Sequence, residues 1–164
     1  MRQWSERSDE VASLFNPAFC GTLVFHAARH YTQEAEGGMP LSLSSLVLPF
    51  VLNCRLRSAL PQTIRTPFEI WCRREGQVRI GLAERVRALL PITKESLLFL
   101  GQHNLLSITD GALTVRKRAP MGMAKFEASD EEIGECFTKA RVLGIMMARA
   151  GDEASVLMSL GLTV

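Results

Sequence analysis

Two histidines four residues apart, His26 and His30, are the first candidates for chemistry. On a helix that spacing puts both imidazoles on one face, where they could share a zinc ion. The acid that a metalloprotease helix carries after its first histidine is absent, because Ala27 stands there. No third ligand lies at a useful spacing, and His103 is far away in the chain. The pair is therefore expected to be partly buried and hydrogen-bonded, and no metal is expected. Cys20, Cys54, Cys72 and Cys136 are widely separated, form no Cys-x-x-Cys pair and sit among apolar or helical neighbours. They read as reduced, mostly buried thiols of a cytoplasmic protein. The sequence holds no Gly-x-Ser-x-Gly, P-loop or Gly-x-Gly-x-x-Gly motif, and no carboxylate cluster lies in an apolar stretch. Gly37-Gly38 follows a helix, so it cannot seat a phosphate at a helix start. Neither enzymatic activity nor a cofactor is expected.

Charge offers a second kind of chemistry. The formal net charge is only +2, but it is unevenly placed. Between Cys54 and Leu90 stand eight arginines and three acids, Glu69, Glu75 and Glu84. Sequence-independent contact with nucleic-acid phosphates would use Arg55, Arg57, Arg73, Arg74, Arg79, Arg85 and Arg87, with Arg116, Lys117 and Arg118. Glu127, Asp130, Glu131, Glu132 and Glu135 gather near the start of the last long helix. One face could thus meet an anion and another a basic protein, or both could be solvated helix faces.

These residues must be positioned by helices. Ser8 can cap a helix over 8–15, and Asn16-Pro17 opens a nearly all-apolar helix to about Glu36, expected to be central. A third helix starts at Ser42 and should be kinked or divided at Pro49. Thr66-Pro67 opens a short helix to Arg74. The stretch Leu82–Arg118 then reads as a helix to Leu90, a break at Pro91, a helix from Thr93 to Asn104 capped by Thr93, and a hairpin turning at Asp110-Gly111. That order predicts a winged helix-turn-helix. Residues 116–128 read as a loop. Ser129 and Glu132 form a capping box before the last long helix, which Gly151 ends, and Asp152 caps a final short helix. The expected fold is mostly α: one domain over 1–164, with N-terminal helices (8–75), a winged-helix unit (79–118) carrying one short β-hairpin, and C-terminal helices (129–164).

The supposed reading helix has Leu97, Leu98, Phe99 and Leu100 at its centre, which suits packing better than a major groove. Leu97, Leu98 and Leu100, with Met146, Met147, Leu157, Leu160 and Leu162, are candidates for partner contact. At 164 residues, 47% apolar and 22% charged, the chain has an ordinary globular composition. No run approaches the ~18–20 apolar residues of a membrane span, and residues 1–10 do not read as a signal peptide. A cytoplasmic protein without membrane contact is expected.

Three stretches together resemble a known family: Asn16-Pro17-Ala18-Phe19-Cys20; Gly38-Met39-Pro40-Leu41-Ser42-Leu43 with Leu60-Pro61-Gln62-Thr63-Ile64; and Ala148-Arg149-Ala150-Gly151-Asp152-Glu153-Ala154. This is similar to the middle component of bacterial ABC three-component systems, the group that includes the small subunit of Lamassu-type defence operons. The resemblance runs from about Asn16 to Val164 and rests on structural motifs. It implies an adaptor between an SMC-like ABC ATPase and an effector, often a nuclease, in a complex that senses phage or plasmid double-stranded DNA. A free-standing winged-helix transcriptional regulator is the alternative.

Overall fold

The structure, a computed structural model, describes residues 15–116 and 130–162. The helix expected over 8–15 (apart from Phe15), the 116–128 loop beyond Arg116, and Lys117, Arg118, Ser129 and Val164 lie outside the described residues. The described residues form a mostly helical protein with one small antiparallel sheet.

Helix α1 (Pro17–Glu34) is the central element. Asn16 caps it by accepting a hydrogen bond from the Ala18 amide at 2.8 Å, and Pro17 supplies a fixed φ at the first position. Its Cys20, Leu23, Val24, Phe25, Ala27 and Ala28 are fully buried, because neighbours cover it on several sides. Two glycines set how closely they approach. A Cβ on Gly144 would lie 2.3 Å from the Ala27 carbonyl oxygen, and one on Gly21 would lie 3.2 Å from the Ser96 carbonyl oxygen and the Leu100 side chain. These contacts seat α1 against α6 (Glu131–Arg149) on one side and α5 (Leu82–Gln102) on the other.

After α1, β1 (Met39–Pro40) leads into α2 (Leu41–Leu52), which runs unbroken through Pro49. Division comes later, at Asn53, whose side chain accepts from the Leu56 amide and starts α3 (Cys54–Ala59). Helix α4 (Phe68–Arg74) and a 3₁₀ turn (Gly76–Arg79) precede α5. Pro67 stands at the N-cap of α4, so the Thr66 side chain is not its cap.

The largest departure from the sequence reading lies in α5. The break expected at Pro91 is absent: one 21-residue helix covers Leu82–Gln102. Thr93, expected as a cap, is buried in mid-helix and donates its hydroxyl to the Leu89 carbonyl at 3.1 Å. A proline costs a helix one hydrogen bond, here to Arg87. Pro91 itself faces solvent, while Leu82, Leu97 and Leu100 on the opposite side are buried. Burial of that stripe outweighs the lost bond. The helix-turn-helix expected over 82–104 is therefore corrected to a single helix followed by a hairpin.

The hairpin is where it was expected, with β2 (Leu106–Thr109) pairing β3 (Ala112–Val115) antiparallel, Ile108 opposite Leu113. Asp110 and Gly111 both have positive φ, 51° and 75°, as a two-residue type I′ turn requires. Strand β1 adds to β3, giving the order β1-β3-β2. At the other end of the chain, Asp130 caps α6 through the Glu132 and Ile133 amides, so the cap is one residue later than expected. Asp152 caps α7 (Glu153–Ser159) through the Ser155 amide. Among the described residues no helix is long and apolar enough to cross a membrane.

Candidate functional site

Two grooves flank α5. The larger, about 740 Å³, lies between the start of α2, the C-terminal half of α5 and strand β2. Its walls include Leu41, Leu90, Leu97, Leu98, Leu106 and Ile108. Leu98 is 66% exposed, Ile108 51% and Leu41 39%, so large apolar side chains stand in water at one place. The groove is greasier than its residue names suggest. Ser42 gives its hydroxyl to Glu153, Ser44 to the Leu41 carbonyl at 2.6 Å, Ser45 to the Ser42 carbonyl at 2.5 Å and Thr93 to Leu89. Each hydroxyl proton is spent within the chain, which leaves methylene and methyl groups forward. The polar rim includes Lys94, Gln102 and Ser107.

The smaller groove, about 610 Å³, is of mixed character and its walls include Asn53, Arg55, Glu75, Gln77, Ile80 and Arg85. It brings together two of the arginines chosen for phosphate contact, Arg55 and Arg85. Arg85 is held by donating to the Ile80 carbonyl at 2.7 Å. Others have structural work. Arg79 donates to the Cys72 carbonyl at 3.2 Å, and Arg73 lies 3.6 Å from Glu69 on α4. Arg74, Arg87 and Arg116 are exposed.

Arg57 is corrected outright as a phosphate ligand. It is buried, with its Nε on Glu135 at 2.7 Å, one Nη on Glu132 at 2.6 Å and the other on the Val51 carbonyl at 3.0 Å. Those two acids, read as facing either a basic partner or solvent, neutralise an internal guanidinium. Lys139 is likewise buried and ties α6 to the Leu60 carbonyl at 2.7 Å. Burial holds its pKa below the usual lysine range.

Of the residues chosen for partner contact, Leu97, Leu100, Met146, Met147, Leu157 and Leu160 are buried in the core, and Leu162 packs partly against it. Leu98 alone of the set stands well out. The sequence reading missed Leu41, Ile108 and Lys94 as groove residues. Ile108 had a signal, since a strand residue two along from a buried Leu106 shares its face.

His26 and His30 do share a face, with ring centroids 4.7 Å apart. Among the described residues no group of three or more His, Cys, Asp or Glu could hold a metal. Burial, then the charges of His30, Arg29 and Arg141, push the His26 pKa down from 6.5 to about 4. His30 is lowered too, first by burial. The unfolded chain thus binds the His26 proton at higher pH than the folded one. Stability should be whole above pH 6.5, fall as pH drops from 6.5 toward 4, and lose nothing further from His26 below that. The expected loss from His26 is about 2 kcal/mol after discounting for partial exposure of the ring. His26→Gln should flatten that part of the profile, measured by urea unfolding at pH 7 and pH 4.5; an unchanged slope would reject the assignment. Cys20, Cys72 and Cys136 are buried thiols, and Cys54 is an exposed one. Burial raises the thiols of Cys20 and Cys72 to about 12, so they are poor nucleophiles.

A family model described as the ABC-three component (ABC-3C) system Middle Component 3 matches residues 4–164. No curated protein and no solved structure matches the chain.

Proposed function

The chain belongs to the Middle Component 3 family of ABC-three component systems, and from that membership we propose that it is a non-enzymatic adaptor. It links an SMC-like ABC ATPase to an effector, often a nuclease, in a cytoplasmic Lamassu-type defence against phage and plasmid DNA. The observation that carries the reading is the apolar groove between α2, α5 and β2. A monomer gains nothing from holding Leu41, Leu98 and Ile108 together in water, whereas a subunit gains a docking face. Co-expression with the ATPase and effector components of the same system tests it. The expected result is a stable complex on gel filtration. A chain that elutes alone and binds its own promoter sequence-specifically would overturn it in favour of a free-standing regulator.

A second contact, with DNA phosphates inside the complex, is supported by Arg55 and Arg85 on the walls of one groove. Reversing both, Arg55→Glu with Arg85→Glu, should weaken DNA binding by the complex at all sequences alike. It should also reduce the slope of log affinity against log salt by about 2. An unchanged slope would make this groove ordinary surface.

A further inference from the structure

We propose that the apolar groove receives an extended apolar segment of another component of the same system. The segment adds as a fourth strand to the free edge of β2 and sets a carboxylate against Lys94. This rests on the adaptor reading and specifies how the adaptor holds its partner.

The hairpin's phase carries the inference. A two-residue turn at Asp110-Gly111 makes Thr109 and Ala112 a hydrogen-bonded pair, and the alternation makes Ser107 and Thr114 the next. The Arg116 amide donates to the Leu105 carbonyl at 2.9 Å, two residues further along and in the same phase. Leu106 and Ile108 lie between these pairs. Their N–H and C=O groups therefore point away from β3, along the outer edge of β2. Among the described residues no strand pairs with that edge. The side chains of Leu106 and Ile108 share one face and line the groove. A row of open backbone groups thus stands beside an apolar trough, the two parts that strand addition uses for affinity and side-chain selection.

Native sheets commonly guard such an edge with charge or proline. Strand β2 reads Leu106-Ser107-Ile108-Thr109 and carries neither. A helix laid in the trough would cover Leu98 and leave the edge amides unmet. The charge at the rim selects among strands. Lys94 is the charged side chain among the described residues that line the groove, and the one carboxylate bonded to that wall, Glu153, is already engaged by Ser42. In a β2-to-β2 pairing of two copies, both rims would bring a lysine and, among the described lining residues, neither a carboxylate. An apolar strand carrying an Asp or Glu complements the rim, so the occupant is another component.

The test uses the full chain co-expressed with its ATPase and effector components, with hydrogen–deuterium exchange resolved to single amides. Leu106 and Ile108 should exchange freely in the isolated chain and at least about tenfold more slowly in the complex. Ile108→Pro removes an outward N–H and no β2–β3 bond, so it should weaken assembly by about tenfold or more with an unchanged melting temperature. Lys94→Glu, on an exposed helix position, should weaken assembly without touching the hairpin, which keeps the test valid should the proline variant unfold. A complex in which both amides stay fast overturns strand addition and leaves the adaptor reading standing. Failure to form any complex overturns both. Protection of the same amides in the isolated chain, with a dimer by sedimentation, assigns the edge to a second copy and overturns the heterologous strand.

Discussion

Replacing Glu132 and Glu135 together by alanine is expected to lower the unfolding free energy by about 3–5 kcal/mol, the usual cost of stranding a buried charge. The Arg57 side chain is 6% exposed and its nitrogens meet both carboxylates and the Val51 carbonyl. With both acids gone the guanidinium keeps one neutral acceptor and little water. Single replacements should cost far less. Glu132 is 70% exposed and Glu135 39%, so each alone is a partly solvated partner and the other remains. Adding Arg57→Met to the double variant removes the stranded charge and should recover a good part of the loss. Urea midpoints at constant slope would measure the series. A double variant within about 1 kcal/mol of the parent would mean that Arg57 swings out to water, and would sink the clamp.

The second large effect is Gly144→Ala, expected to destabilise by about 3 kcal/mol, although alanine is the better helix former. The added Cβ would lie 2.3 Å from the Ala27 carbonyl oxygen, and that atom is backbone, so α1 and α6 must move apart. Gly101→Ala in α5 is the control, because a Cβ there meets nothing within 4 Å. It should stabilise by about 0.5 kcal/mol through helix propensity alone. The two substitutions are chemically identical, and opposite signs in thermal unfolding would isolate the helix crossing as the cause. Equal signs would reject close packing at Gly144.

Local chemistry made much of this fold legible in the chain. Asn16-Pro17, Asp110-Gly111 and Asp152 each satisfy backbone groups within a few residues, so their signals are contained in the sequence around them. What failed was non-local. Strand β1 is two residues long and gains its meaning only from β3, more than seventy residues later. Pro91 carries a local stop signal, and the burial of Leu82, Leu97 and Leu100 by distant elements overrules it. Arg57 looked like its surface neighbours because its two partners, Glu132 and Glu135, sit on a helix far along the chain. Reading Leu97–Leu100 as packing residues was right for Leu97, Phe99 and Leu100. Leu98 points the other way, since a helix separates adjacent residues by about 100°. The apolar groove was hidden because its walls come from three elements, and because Ser42, Ser44 and Ser45 look polar until their hydrogen bonds are known.

The unbroken α5 has a metrical consequence. Arg85 stands near its start, in the smaller groove, and Leu98 near its end, in the apolar one. At 1.5 Å per residue their axial separation is about 20 Å. Had Pro91 opened a turn, that interval would change with the angle between two helices. As one helix, α5 acts as a ruler: whatever sits in one groove is held at a set spacing from whatever meets the other. Lengthening the rod by a few residues would shift that spacing by about 1.5 Å and rotate one groove about the axis by about 100° for each residue added.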